Sequence, residues 1–156
     1  MGNLTPKIKI NIQNEDFDIS KETKILQQNN IGAIVNFIGV VRGYDENNEI
    51  INSMTLEHYP GMTEAEIKKI IIDCCERWHL TSITVIHRVG NLKPMDQIVY
   101  VGVSSKHRQN AFDGCNFIMD WLKTKAPFWK VEENNSKKNW VNFNETDNQA
   151  LKKWEK

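Results

Sequence analysis

The sequence predicts an α+β fold: a mainly antiparallel sheet with β-hairpins, packed by two longer helices. Three observations carry this. Strand-like and helix-like stretches alternate irregularly along the 156 residues and do not repeat as βαβ units. Thr63–Trp78 and the stretch from Ser105 to Lys125 place apolar residues at helical spacing. The β-branched runs around them are separated by short polar turns, as hairpins require.

Lys7–Gln13 (KIKINIQ) alternates apolar and polar residues like a half-buried strand. Ser20 is placed to cap a short helix reaching about Gln28, which Asn29, Asn30 and Gly32 end. Ile34–Arg42 (IVNFIGVVR) is β-branched and nearly all apolar, as a central strand is. Gly43–Asn48 is a polar turn and Glu49–Tyr59 the returning strand, so the two are expected to form a hairpin with a long, mobile tip. Pro60 and Gly61 stop that strand. Thr63 with Glu66 fits a capping box for a helix whose inner line is Ile67, Ile70, Ile71, Cys74 and Trp78. Ser82–Val89 and Gln97–Ser104 are two more strands, joined across Gly90–Asp96.

The second helix starts near Ser105–Arg108, turns Ala111, Cys115, Ile118, Met119 and Leu122 inward, and ends near Lys125. Beyond Pro127 come a short extended piece, Phe128–Glu132, a polar loop, Glu133–Asn139, and Trp140-Val141. From Glu145 the tail reads as helical or partly disordered. No linker divides the chain, so residues 1–156 read as one domain with a mobile tail after about Asn144.

Composition excludes several function classes. Twenty basic and twenty acidic residues leave no net charge, so nothing global argues for a nucleic-acid or membrane-surface partner. No apolar run approaches the roughly 20 residues of a membrane span, and MGNLTPKIKINIQ lacks the apolar core of a signal peptide. A cytoplasmic protein is expected. Cys74, Cys75 and Cys115 form no CxxC pair, and the four histidines show no metal-ligand spacing, so the thiols are expected to pack and no metal site is expected.

Chemistry concentrates in cations. Asp120–Glu132 (DWLKTKAPFWKVE) holds Lys123, Lys125 and Lys130 around an apolar turn. Neighbouring ammonium groups and apolar surroundings both lower a lysine pKa and suit it to acid–base or nucleophilic work. Lys123 and Lys125, two apart on a helix, face different directions, whereas the reversal at Pro127 lets Lys123 and Lys130 converge. Lys125 is left to solvent. His107 and Arg108 stand where a helix begins, a place that disfavours cations unless an anion is held there. Arg42 ends an apolar strand and is suited to phosphate or carboxylate. His87-Arg88 ends another strand and is read as structural. No GxSxG, P-loop or GxGxxG motif occurs. The residues alone define an anion site without a named substrate.

The ordered series Gly32-Ala33-Ile34-Val35, Phe37, Gly39, Val41-Arg42, Glu57, Tyr59, Met62, His87-Arg88-Val89-Gly90, Leu92, Ser104-Ser105, His107-Arg108, Ala111-Phe112, Asp120, Leu122-Lys123, Pro127, Trp129-Lys130 and Glu132 resembles the MoaE family, the large catalytic subunits of molybdopterin synthase. The match runs from about Gly32 to Val141. Each motif is short, and their joint order is specific.

The resemblance implies a fold of the α/β hammerhead type. It implies a sulfurtransferase of molybdenum cofactor biosynthesis, converting cyclic pyranopterin monophosphate (precursor Z) into the dithiolene of molybdopterin. Sulfur would arrive as the C-terminal Gly-Gly thiocarboxylate of a small ubiquitin-like, MoaD-like carrier subunit. The assembly would be a heterotetramer around a central homodimer of large subunits, a neighbouring large subunit completing part of the pocket.

Carried onto this sequence, the catalytic lysines fall on Lys123 and Lys130. The substrate-binding positions fall on Val40, Val41, Arg42, His107, Arg108, Lys123, Lys130, Val131 and Glu132. Lys123 is expected to be the main acid–base residue and Lys130 to stabilise anionic intermediates, with the reverse assignment open. No metal or redox cofactor is implied. Met95-Asp96 stands where the pattern has Gly-Glu, Val131 where a second basic residue is frequent, and Asn144 where an arginine is common. The competing reading is a non-catalytic cytosolic module that docks an anionic or C-terminal partner tail with the same cations.

Overall fold

A computed structural model describes residues 5–134, 137–140 and 145–155. Asn144 and Val141 lie outside the described residues. In chain order the elements are β1 (Lys7–Gln13), α1 (Ile19–Ile25), β2 (Ala33–Val40), β3 (Ser53–His58), α2 (Met62–Arg77), β4 (Ser82–Arg88), β5 (Gly90–Leu92), β6 (Gln97–Ser105), α3 (Arg108–Thr124), β7 (Phe128–Asn134), β8 (Lys137–Trp140) and α4 (Glu145–Lys152). The strands sort into two four-stranded sheets, β1-β4-β6-β2 and β5-β3-β7-β8. All pairings are antiparallel except β1 with β4. The α+β expectation holds.

The valines of β6 explain the first sheet's core. Alternation turns Val99, Val101 and Val103 to one face, where they meet Ile67, Ile71 and Cys74 of α2 and Phe117 and Ile118 of α3. Tyr100 turns to the other face, against Phe17 and Leu26 beside α1. Its hydroxyl lies 2.9 Å from Thr23 Oγ1, so the buried phenol is satisfied. Each fully buried aliphatic side chain here contributes about 1.5–3 kcal/mol through removal from water. Val41, Met54, Leu56 and Leu92 form a separate cluster under the second sheet.

The expected hairpin between Ile34–Arg42 and Glu49–Tyr59 is not formed. β2 pairs with β6 and β3 with β5 and β7, in different sheets. β2 has apolar side chains on both faces, Val35 toward one core and Ile34 and Ile38 toward the other, so it belongs inside the layered sheet. A register irregularity at Gly39/Val40 then ends its pairing, and the Val41 amide bonds Asp96 instead. A single bridge, Tyr44 with Ile50, joins the two segments. The tip is tied down: Asp45 accepts the Asn47 and Glu49 amides at 2.9 Å each and the side-chain amide of Asn134.

Three local expectations also change. The cap of α1 is Asp18, accepting from the Lys21 amide, not Ser20. At α2 the Glu64 carboxylate accepts the Gly61 amide, while Thr63 is turned back onto Tyr59, so Thr63 and Glu66 form no capping box. The polar loop expected at Glu133–Asn139 is the β7–β8 hairpin, whose register includes Glu132 with Asn139. The short strand β5, within the connection Gly90–Asp96, was not legible because three residues carry no period.

The tail takes its helical alternative. Leu151 is buried, and Trp154 packs edge-on against Trp78 and Phe117. Its indole donates to Asp120 at 2.5 Å. Among the described residues no helix is long and apolar enough to cross a membrane.

Two backbone positions bear on the site. A Cβ on Gly32 would sit 2.5 Å from the Lys106 carbonyl oxygen, so glycine is needed for β2 to pass beneath the corner that leads into α3. Met95 has φ 77°, in the left-handed region, and is 85% exposed. Its amide bonds the Val41 carbonyl at 2.9 Å, so this turn braces the segment before Arg42. A left-handed backbone costs a residue with a Cβ about 1–2 kcal/mol, partly offset by the greater unfolded freedom of glycine. Met95→Gly should therefore raise the melting temperature by roughly 1–3 °C. A lower melting temperature would contradict this account.

Candidate functional site

α3 carries Lys123 in its last turn. The Lys125 amide closes the helix on the Trp121 carbonyl at 2.7 Å, and Pro127, with no N–H to give, turns the chain out of the helix. β7 then runs back, and its alternation puts Phe128, Lys130 and Glu132 on one face. That face borders a cleft of about 810 Å³ where the two sheets meet. Val40, Val41, Arg42, Lys123, Lys130 and Glu132 all line it.

The two lysines converge. Lys123 lies close enough to Lys130 for its charge to act on it. Lys130 is half-buried, and burial, then the charge of Lys123, lower its pKa to about 8 against the opposing pull of Glu132. Arg42, exposed at the mouth, pushes in the same direction as Lys123. Lys123 is the more exposed of the pair, and Lys125 points to solvent as expected. A group that exchanges its proton near neutrality, beside the Lys123 and Arg42 side chains, can take a proton from an anionic substrate and return it.

Not every expected residue joins them. His107 caps α3 and Arg108 opens it, both exposed, at the opposite end of the helix from Lys123. Fifteen helical steps place them about 22 Å away along the axis. A single pocket holding Arg42, His107 and Arg108 is therefore not built within one chain. Val131 alternates to the far face of β7, opposite Thr55, and does not line the cleft.

Sequence reasoning missed His87. It lines the cleft beside the lysines, and its ring stacks on Phe128 with 3.9 Å between centroids. The signal was present in the alternation of β4, which puts His87 on the same face as Ile83 and Val85. Its neighbour Arg88 is structural, as expected, donating to the carbonyls of Asn14 and Gln97. The thiols stay out of the site: Cys74 and Cys115 are buried in the helix–sheet core, and burial pushes the Cys115 thiol up to about 12. Among the described residues no three His, Cys, Asp or Glu side chains gather as a metal site.

An α+β protein with a lysine pair and an arginine around such a cleft has the chemistry to hold an anion and to exchange a proton with it. Residues 12–125 match the family model described as MoaE protein. The chain is 46% identical over 147 residues to the molybdopterin synthase catalytic subunit of Escherichia coli strain K12, covering 94% of this chain and 97% of that one. It is 45% identical to the protein of the same name from Pseudomonas aeruginosa, over 94% and 98% of the two chains. The solved molybdopterin biosynthesis MoaE protein from Burkholderia ambifaria superposes with a TM-score of 0.80 at 43% identity, over 94% and 97%. The chain belongs to the MoaE protein family, that of the molybdopterin synthase catalytic subunits.

Proposed function

We propose that this chain acts as a molybdopterin synthase catalytic subunit, a sulfurtransferase that turns cyclic pyranopterin monophosphate into molybdopterin. The convergence of Lys123, Lys130 and Arg42 in one cleft carries the reading. Arg42 and Lys123 hold the cyclic phosphate; each charge-assisted hydrogen bond contributes about 1.5–3 kcal/mol. The sulfur donor is the C-terminal Gly-Gly thiocarboxylate of a small ubiquitin-like carrier subunit, and its negative charge is drawn by the same cations. The sulfur attacks a side-chain carbon of the pterin, the C–O bond from that carbon to the cyclic phosphate breaks with its electron pair leaving on the phosphate oxygen, and the sulfur remains joined to the carrier's acyl group as a thioester. Water then cleaves that thioester and frees the carrier as a carboxylate.

The acid–base role goes to Lys130 and the electrostatic role to Lys123, the reverse of the first expectation. The half-buried lysine with the lowered pKa is the better proton exchanger, and the exposed one is placed beside it at the mouth of the cleft to meet the anion. His107 and Arg108 reach the pocket of a second copy in a homodimer, which accounts for their distance from the cleft of their own chain. Val131, facing away, has no direct part. One domain carries all of this, and the site of action is the cytoplasm, where a water-soluble pterin and carrier meet.

The test mixes the purified chain with cyclic pyranopterin monophosphate and a thiocarboxylated carrier, then assays the fluorescent oxidation product of molybdopterin. Product that depends on both additions is expected. Binding of carrier and pterin without product would favour the tail-docking module.

A further inference from the structure

The cations account for the anionic end of the substrate and leave His87 without a task. Its ring is fixed on two sides. Phe128 stacks on it at an interplanar angle of 17°. Nδ1 lies 2.9 Å from the Arg88 carbonyl oxygen. A carbonyl can only accept, so Nδ1 bears the proton and Nε2 keeps a free lone pair. Among the described residues no hydrogen bond engages Nε2.

The charges around the ring keep it in that state. Lys123 faces it from α3, Lys130 from β7 and His58 from β3. Burial first, and further down Lys123 and Lys130, hold its pKa near 4 against the opposing pull of the Arg88 carbonyl. Arg88, next in the chain, is turned away onto the Asn14 and Gln97 carbonyls. A neutral acceptor among cations is of no use to a phosphate, which its lone pair repels. It suits an N–H donor.

We propose that His87 Nε2 accepts a hydrogen bond from a ring N–H of the substrate's heterocycle, so that the cleft recognises its ligand at two ends: cations at the phosphate, His87 at the ring. The assignment rests on the pterin reading of the site. A pterin is the matching class, a fused heterocycle with several N–H donors. The stack on Phe128 sets the imidazole plane before the ligand arrives, so little rotamer freedom is lost on binding.

His87→Phe keeps a ring on Phe128 and removes the acceptor; His87→Gln keeps an acceptor of similar reach. In steady-state turnover with thiocarboxylated carrier, His87→Phe should raise KM for cyclic pyranopterin monophosphate roughly tenfold or more. Its kcat should stay within about threefold, and His87→Gln should recover most of the loss. Inhibition by inorganic phosphate should be unchanged in both, because the cations remain. An unmoved KM, a Gln variant as impaired as the Phe variant, or phosphate inhibition that weakens in step with KM would each overturn the assignment. If His87→Phe does not fold, the Nε2 nitrogen resonance of wild type decides: it should move on adding the pterin, and no movement overturns the proposal. Failure of the functional reading looks different, since no chain, wild type included, would then form product.

Discussion

Lys130→Ala should lower single-turnover sulfur transfer by roughly 10²–10⁴-fold while the fold is retained, because it removes the proton exchanger and leaves the cleft otherwise intact. In the wild-type chain the neutral amine is the acting form, so the rate should climb with pH and level off above about 8. Lys123→Met removes the neighbouring charge, and the Lys130 pKa should then rise, as read by NMR titration independently of turnover. A Lys130 pKa unmoved by that substitution, or a Lys130→Ala chain with near-normal rate, would sink the role.

Stability carries the same signature. The folded pKa of Lys130 lies below its ordinary 10.5, so between about 8 and 10.5 the unfolded chain holds a proton that the folded chain has released. Stability contributed by this group therefore rises with pH across that window, and below it the buried charge opposes folding. Partial exposure of the side chain screens the effect and keeps it modest.

The second large effect is a rescue. Arg108→Ala and Lys130→Ala chains should each be nearly inactive alone. Mixed and allowed to exchange subunits, they should regain about a quarter of wild-type activity, because half the dimers are mixed and each mixed dimer has one intact site. The prediction follows from α3 itself: Arg108 and Lys123 stand at its two ends, so the proposed role of Arg108 at the cleft requires that it come from another copy. Mixtures no better than the sum of their parts would remove the shared site.

Much of the fold was legible. The helical spacing of Ile67, Ile71 and Cys74, and of Ala111, Cys115, Ile118 and Leu122, marks faces that are buried in the structure. The alternation of Lys7–Gln13 gives β1 with the same bounds. Lys123, Pro127 and Lys130 gave the turn that faces the lysines together, since a proline that cannot continue a helix reverses the chain. The Ile34–Arg42 pairing failed for a physical reason. An apolar β-branched run states that a strand is buried and does not state its partner, and nearness in sequence favoured Glu49–Tyr59 over β6.

By itself, then, the sequence determined which segments are helix or strand, which side chains are apolar enough to be buried, and that cations gather around Asp120–Glu132. These are properties of local periodicity and charge. Only the tertiary structure decided which strands share a sheet, that His87 looks into the cleft while Val131 looks out, and that His107 and Arg108 stand a helix length from Lys123. Those outcomes depend on non-local packing, where burial against distant partners selects among arrangements that the local pattern leaves equal.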